Sequence, residues 1–177
     1  MRYEAAMRLH PYAPELVLRR FSSNPEPPTE AEVEAQEVAV LWSDLVGFTP
    51  LTERLVAAGP EGVEQLTAFL NKFFEKLVRL VHQHGGDITQ FEGDALLAIW
   101  SAGDSPADAV LRAAQCALAI QRELDGFQVA DDIRLSQRVA VASGPLRFLT
   151  VGGVLARWNF VAAGSPLTLV QAIDHDC

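Results

Sequence analysis

Two stretches decide the fold: Val38–Thr49 (VAVLWSDLVGFT) and Gly85–Trp100 (GGDITQFEGDALLAIW). The first is a short valine-rich apolar run that stops at Asp44, the pattern of a buried strand ending at a charged residue. Gly47 permits a sharp turn after it. Thr49 followed by Pro50 then fits a helix N-cap and first helical position, where proline's missing N–H costs nothing. In the second stretch, Ile88 and Phe91 on one side and Ala95 to Trp100 on the other flank the turn signal Glu92-Gly93-Asp94. That predicts a β-hairpin with Asp94 at its tip.

Working outward, Val63, Leu66, Leu70, Phe73, Leu77 and Val81 follow the spacing of a buried helical stripe, so a long helix is expected between Gly59 and Gly85-Gly86. Helical spacing returns from Ala107 to Leu124 through Val110, Leu111, Ala114 and Leu118. Strands are expected at Ile133–Ala142, Leu146–Val151 and Asn159–Ala162, and a last helix at Pro166–Ile173. Upstream, Ser22–Glu37 carries Pro25, Pro27, Pro28 and five glutamates with no basic residue. It has the composition of a solvated linker, with a short helix as an option at its end. Pro14–Phe21 before it fits a strand or a short helix packed on the main domain. Residues 1–37 are therefore expected to be an arm and acidic linker, and 38–177 the main domain. The order of elements predicts an α+β sandwich, a mainly antiparallel sheet with helices covering one face.

Composition narrows the function. The chain has 177 residues, 49% hydrophobic and 21% charged, which suits one soluble globular domain. Its net charge of −9 has the wrong sign for a broad basic nucleic-acid-binding face, although a metal-bound polyanion stays compatible. No run reaches the length of a membrane span, and residues 1–10 lack the apolar core of a secretory signal. Cys116 and Cys177 form no CxxC pair, and an intracellular, cytoplasmic setting follows as the expectation.

If the first strand and the hairpin are neighbours, Asp44 and Asp94 stand side by side. Taken singly, Asp44 is a turn former or helix cap, Gly93-Asp94 a hairpin turn and Thr49 an N-cap. Taken jointly, two carboxylates at one sheet end suit Mg²⁺, which binds one or two carboxylates plus substrate phosphates, and a two-metal site for phosphoryl or nucleotidyl transfer is conceivable. Amides at the start of the following helix would face a polyphosphate, and Leu45 offers a backbone carbonyl.

SDLVGFT followed by GGDITQFEGDALLAIW closely resembles the class III nucleotide cyclase domain, most of all the first half of the soluble adenylyl cyclase type. PELVLRRFSSNPEPP (14–28), VAVASGPLRFLTVGG (139–153) and, more loosely, FVAAGSPLTLV (160–170) extend the likeness over nearly the whole chain. The resemblance implies a ferredoxin-like cyclase sandwich in which Asp44 and Asp94 bind two Mg²⁺ or Mn²⁺ with the Leu45 carbonyl. Gly47, Phe48 and Thr49 would contact the triphosphate. It implies ATP as substrate, cyclic AMP and pyrophosphate as products, and an active site built across a head-to-tail dimer. The family's domains continue into further strand structure past the position of Cys177, so a fragment of a longer chain is expected.

Departures from the family pattern are specific. Gln90 replaces the purine-contacting lysine, and Val161 its base-selecting partner. Thr168 and Ala172 replace the Asn/Arg pair that orients ribose and neutralises phosphate charge. The only lysines, Lys72 and Lys76, lie on the polar face of the long helix. The domain therefore resembles a metal-donating half that needs a complementary second half, because a homodimer would lack the Asn/Arg pair altogether. A degenerate cyclase-homology module with a regulatory or dimerisation role is the alternative. A diguanylate cyclase is disfavoured, since Gly85-Gly86-Asp87 is not followed by that group's Glu-Phe. Gln90 and Gln171 leave no cation for a bicarbonate pocket, and His82 and His84 are poorly spaced for zinc. Trp42, Phe91 and Trp100 are expected in the core, Cys116 as a buried inert thiol, and His175 as solvated.

Overall fold

A computed structural model describes residues 13–23, 26, 28–130 and 133–176. Residues 1–10, Pro25, Pro27, Cys177 and the side chain of His175 lie outside the described residues. The elements are α1 (Glu15–Ser23), β1 (Glu32–Val46), α2 (Phe48–Ala57), α3 (Pro60–Gln83), β2 (Asp87–Glu92) and β3 (Ala95–Ser101). They continue as α4 (Pro106–Leu124), β4 (Phe127–Ala130), β5 (Ile133–Gly152), a 3₁₀ turn (Val154–Ala156), β6 (Trp158–Ala163) and α5 (Ser165–Asp176).

All strand pairs are antiparallel, in the order β2-β3-β1-β5-β4, with β6 paired to β5. The unbroken apolar run Val38–Trp42 reflects β1's central place, because both of its faces are covered. Ala39, Leu41 and Leu45 face one core with Leu51 of α2, Phe73 and Leu77 of α3, and Ile120 of α4. Val38, Val40 and Trp42 alternate onto the other face, with Leu97, Ile99, Phe148, Val170 of α5 and the partly buried Leu16 of α1. The three longer-range packing helices α2–α4 thus cover one face as expected. Helices α1 and α5 add apolar cover to the opposite one.

Several expectations need correction. The acidic segment 32–37 is not linker but strand: Glu32 pairs with Thr150 and Glu37 with Pro145 on β5. Glu34 and Glu37 are exposed and Glu32 is half-buried, so backbone pairing to a long partner, rather than burial of the glutamate side chains, holds the segment in the sheet. Ile133–Ala142 and Leu146–Val151 form one strand, since β5 passes Gly144-Pro145 while still paired to β1. Upstream, the short-helix option for Pro14–Phe21 is the one adopted. The Asp87 carboxylate accepts the Glu15 and Leu16 backbone N–H at 2.9 and 2.8 Å, capping α1 from the start of the hairpin. Arg20 of α1 is also ion-paired to Glu32.

The stripe on α4 is displaced. Val110, Leu111 and Leu118, expected inside, are 36–56% exposed, whereas Ala109, Ala113, Cys116, Ile120 and Leu124 are buried. Alanines at 109 and 113 allow close approach to the sheet that bulkier side chains would block. Phe91, also expected in the core, is 52% exposed and meets Phe74 edge-on at 5.5 Å. Trp42 and Trp100 are buried as expected. On α3 the stripe largely holds, although Val63 is exposed and Phe69 and Leu80 take part in the core. Lys76 is only partly solvated, with its ammonium 5.2 Å from the centre of the Phe127 ring.

The turn after α3 is fixed by close packing. A Cβ on Gly86 would stand 2.5 Å from Cζ2 of Trp100, whose indole N–H donates to the His84 carbonyl at 2.8 Å. Gly86→Ala should lower stability by about 1–3 kcal/mol in urea denaturation. Burial also pushes the Cys116 thiol up to about 12 from an ordinary 9.0. The folded state therefore holds this proton more tightly than the unfolded state, so the associated stability is intact below about pH 9 and is lost progressively as pH rises toward 12. In a Cys177→Ser background, iodoacetamide at pH 8 should leave Cys116 unmodified until denaturant is added.

Candidate active site

The candidate site is the end of β1 where the apolar run gives way to charge. β1 and β3 are neighbours, with Val40 opposite Ile99 and Ser43 opposite Leu96. Continuing that register by one residue brings Asp44 alongside Ala95 and the Gly93-Asp94 turn. The two aspartates expected to adjoin are therefore at the same end of adjacent strands. Both are partly buried, and each has an interaction partner within the fold.

The chain reverses at Gly47, which adopts a left-handed conformation with φ 88° and caps α2 without a side-chain hydrogen bond. Thr49 is accordingly not the N-cap, nor Pro50 the first helical residue. The helix begins at Phe48, which places Thr49 second and Pro50 third. A glycine able to turn immediately after the strand takes the N-cap position instead of the threonine, and it brings no side chain to cap the first amides of the helix. This favours an anion at the helix start.

Two residues not singled out by the sequence reading join this end of the sheet. Arg138 on β5 lies directly across from Asp44, which puts both side chains on the same face. Beside it, the side chain of buried Gln137 bonds to Ser43 and to the Asp44 main chain. The signal for Arg138 was a cation in the strand SQRVAVAS, and its partner was hidden until β1 and β5 were paired.

The other predicted positions are elsewhere. Gln90 is exposed on β2, its amide donating to Glu92. Val161, 45% exposed on β6, pairs with Leu149, which in turn pairs with Val33. Val33 precedes Asp44 by eleven residues, on the order of 35 Å along the strand. Thr168 and Ala172 are exposed on α5. The Asp44 end of β1 and the position of Val161 are thus well separated along the sheet.

A cleft of about 720 Å³ between α1, the end of α3 and β2 is lined by residues including Pro14, Leu18, His82, Asp87, Gln90 and Phe91. Neither Asp44 nor Asp94 lines it, so chemistry rather than cavity size marks the candidate site. Among the described residues, no three His, Cys, Asp or Glu side chains converge to hold a metal. The available set is two carboxylates with neighbouring main-chain carbonyls, all hard oxygen donors. Its chemistry fits Mg²⁺ or Mn²⁺ with ligation shared by substrate phosphates, and does not fit a closed zinc site.

The pattern of the adenylate and guanylate cyclase catalytic domain matches residues 31–165. The chain belongs to the class III adenylyl/guanylyl cyclase family. This cyclase domain is 28% identical over 151 residues to rat (Rattus norvegicus) adenylate cyclase type 10, covering 84% of the chain but only 9% of that relative. Among solved structures, a bacterial light-regulated adenylyl cyclase superposes with a TM-score of 0.68 at 20% identity, over 97% of this chain and 48% of that one. The guanylyl cyclase Cya2 superposes with a TM-score of 0.63 at 28% identity, over 79% of this chain and 70% of that one. The α+β sandwich with its antiparallel sheet is therefore the class III cyclase fold.

Replacing Gly47 with alanine forces a Cβ into the left-handed region, so Gly47→Ala should cost about 1–2 kcal/mol in denaturant unfolding. Gly47→Asn, which tolerates that region better, should recover part of the loss.

Proposed function

We propose that this domain is the metal-donating half of a class III adenylyl cyclase that converts ATP to cyclic AMP and pyrophosphate at a dimer interface. The observation carrying the reading is the placement of Asp44 and Asp94 at one end of adjacent strands, immediately before the uncapped start of α2. Asp44, Asp94 and the Leu45 carbonyl would hold two Mg²⁺ or Mn²⁺. When bound, these ions supply charge neutralisation on the attacking 3′-oxygen and the leaving pyrophosphate oxygen.

The chain's own groups position the polyphosphate. Backbone N–H groups of Phe48 and Thr49, at the positive end of the α2 dipole and reached through Gly47, donate to phosphate oxygens. Arg138, across from Asp44 on the same face of the sheet, adds a guanidinium, a group suited to phosphate. Gln90 and Val161 give no charged contact to a purine, and Thr168 and Ala172 give neither a ribose-orienting amide nor a cation. A complementary second half, rather than a second copy of this domain, must supply those groups. ATP is preferred over GTP on the resemblance to adenylate cyclases, and a cytoplasmic location on the absence of a disulfide pattern. Among the described residues, no helix is long and apolar enough to cross a membrane.

The regulatory-module alternative is favoured by one feature, the loss of charge and amide groups at 90, 161, 168 and 172 together. Both readings meet the same test: cyclic nucleotide production from Mn²⁺-ATP and Mn²⁺-GTP by the domain alone and mixed with a complementary cyclase half. Activity is expected in the ATP mixture, about 10³-fold or more above the domain alone, because an arginine stabiliser of phosphate charge is worth that much. Asp44→Ala and Asp94→Ala should abolish it. No product in a mixture whose halves demonstrably associate would establish the regulatory module instead.

A further inference from the structure

We propose that Gln137 is a positioning residue that fixes the Asp44–Leu45 peptide, and with it the two oxygen donors on either side of that peptide. The inference rests on the metal-donating reading above, and names a residue on which that site depends. Gln137 is 4% exposed and makes four hydrogen bonds linking three elements. Its side-chain amide donates to Ser43 Oγ at 2.5 Å and to the Asp44 carbonyl at 2.9 Å. Its main-chain N–H donates to Asp125 Oδ1 just after α4 at 3.2 Å, and its carbonyl accepts from Gln121 Nε2 of α4 at 2.6 Å.

The orientation of the amide is not arbitrary. A carbonyl oxygen only accepts, so the Gln137 nitrogen must face Asp44, which commits both of its hydrogens to β1. The Asp44 carbonyl is thereby held by a side chain from the helix-covered face, while the Asp44 carboxylate projects from the opposite face beside Arg138. Rotation of the Asp44–Leu45 peptide would break the bond at 2.9 Å and swing the Leu45 carbonyl together with the strand end. Its connection through Asp125 and Gln121 ties this peptide to α4, a rigid element of the main core.

The cost of the arrangement is visible. Gln137 Oε1 is buried and without a hydrogen-bond partner, an acceptor that has given up its bonds to water without replacement. A methionine would fill nearly the same volume without that orphan. A glutamine kept for packing alone would be a poor solution, whereas one that must donate twice to β1 has no apolar substitute.

The test uses the full chain with Asp44→Asn, Gln137→Met and, should Gln137→Met fail to fold, Gln137→Asn, whose amide is too short to reach Asp44. Amide hydrogen exchange is followed by segment, and Mn²⁺ affinity by electron paramagnetic resonance in the presence of a non-hydrolysable ATP analogue. In the Gln137 variant, exchange should accelerate at least tenfold within residues 43–49 with β3 and α3 unchanged, and Mn²⁺ should bind at least fivefold more weakly. Unaltered exchange in 43–49, acceleration spread evenly over the sheet, or wild-type Mn²⁺ affinity beside a clear loss in Asp44→Asn would each overturn the assignment. If the wild-type chain binds Mn²⁺ no better than Asp44→Asn, the metal-donating reading fails separately. Exchange in 43–49 then decides alone: localised acceleration upholds the positioning of this peptide, and its absence overturns it.

Discussion

Everything at the candidate site depends on β1 being buried on both faces and ending in a carboxylate. Val38–Trp42 are sealed between two apolar layers, and the strand cannot slide by one residue without exchanging its two core faces. That locked register fixes where Asp44 emerges. Because β3 and β5 flank it, the same register brings the hairpin turn with Asp94 to one side and Arg138 to the other. The hydrophobic effect thus sets the positions of charged groups that it does not itself stabilise.

The helix start completes the electrostatics. Gly47 turns the chain within one residue, so α2 begins just after Asp44 with a glycine at its N-cap. Negative side chains and positive helix end lie together, an arrangement that favours a cation-bound polyphosphate over either ion alone. By contrast, Val161, Thr168 and Ala172 occupy exposed surface and carry no charge. The charged groups of the candidate site are thus concentrated at one end of β1.

Much of the fold was legible because its signals are local. The hairpin followed from Glu92-Gly93-Asp94 between apolar runs, and α3 from the recurrence of Leu66, Phe73, Leu77 and Val81. Errors arose where two local signals competed. Thr49-Pro50 is a sound capping pair, but Gly47 could turn sooner. On α4 two apolar stripes overlap, and the smaller side chains won because a close helix–sheet approach rewards alanine. The acidic segment 32–37 has the composition of a linker, yet β5 is long enough to pair with all of it. Phe91 lies on an edge strand, where only part of a hairpin face is covered.

By itself, the sequence determined most of the elements, the hairpin turn and the identities of Asp44 and Asp94 as the charged residues at the strand end and the turn. These are properties of spacing and residue chemistry within a few turns of chain. Tertiary structure decided which residues meet across strands: Arg138 beside Asp44, and Gln137 beneath its peptide. Such pairings join positions more than ninety residues apart. They exist only once the register is set by burial of both faces of β1, which no local pattern encodes.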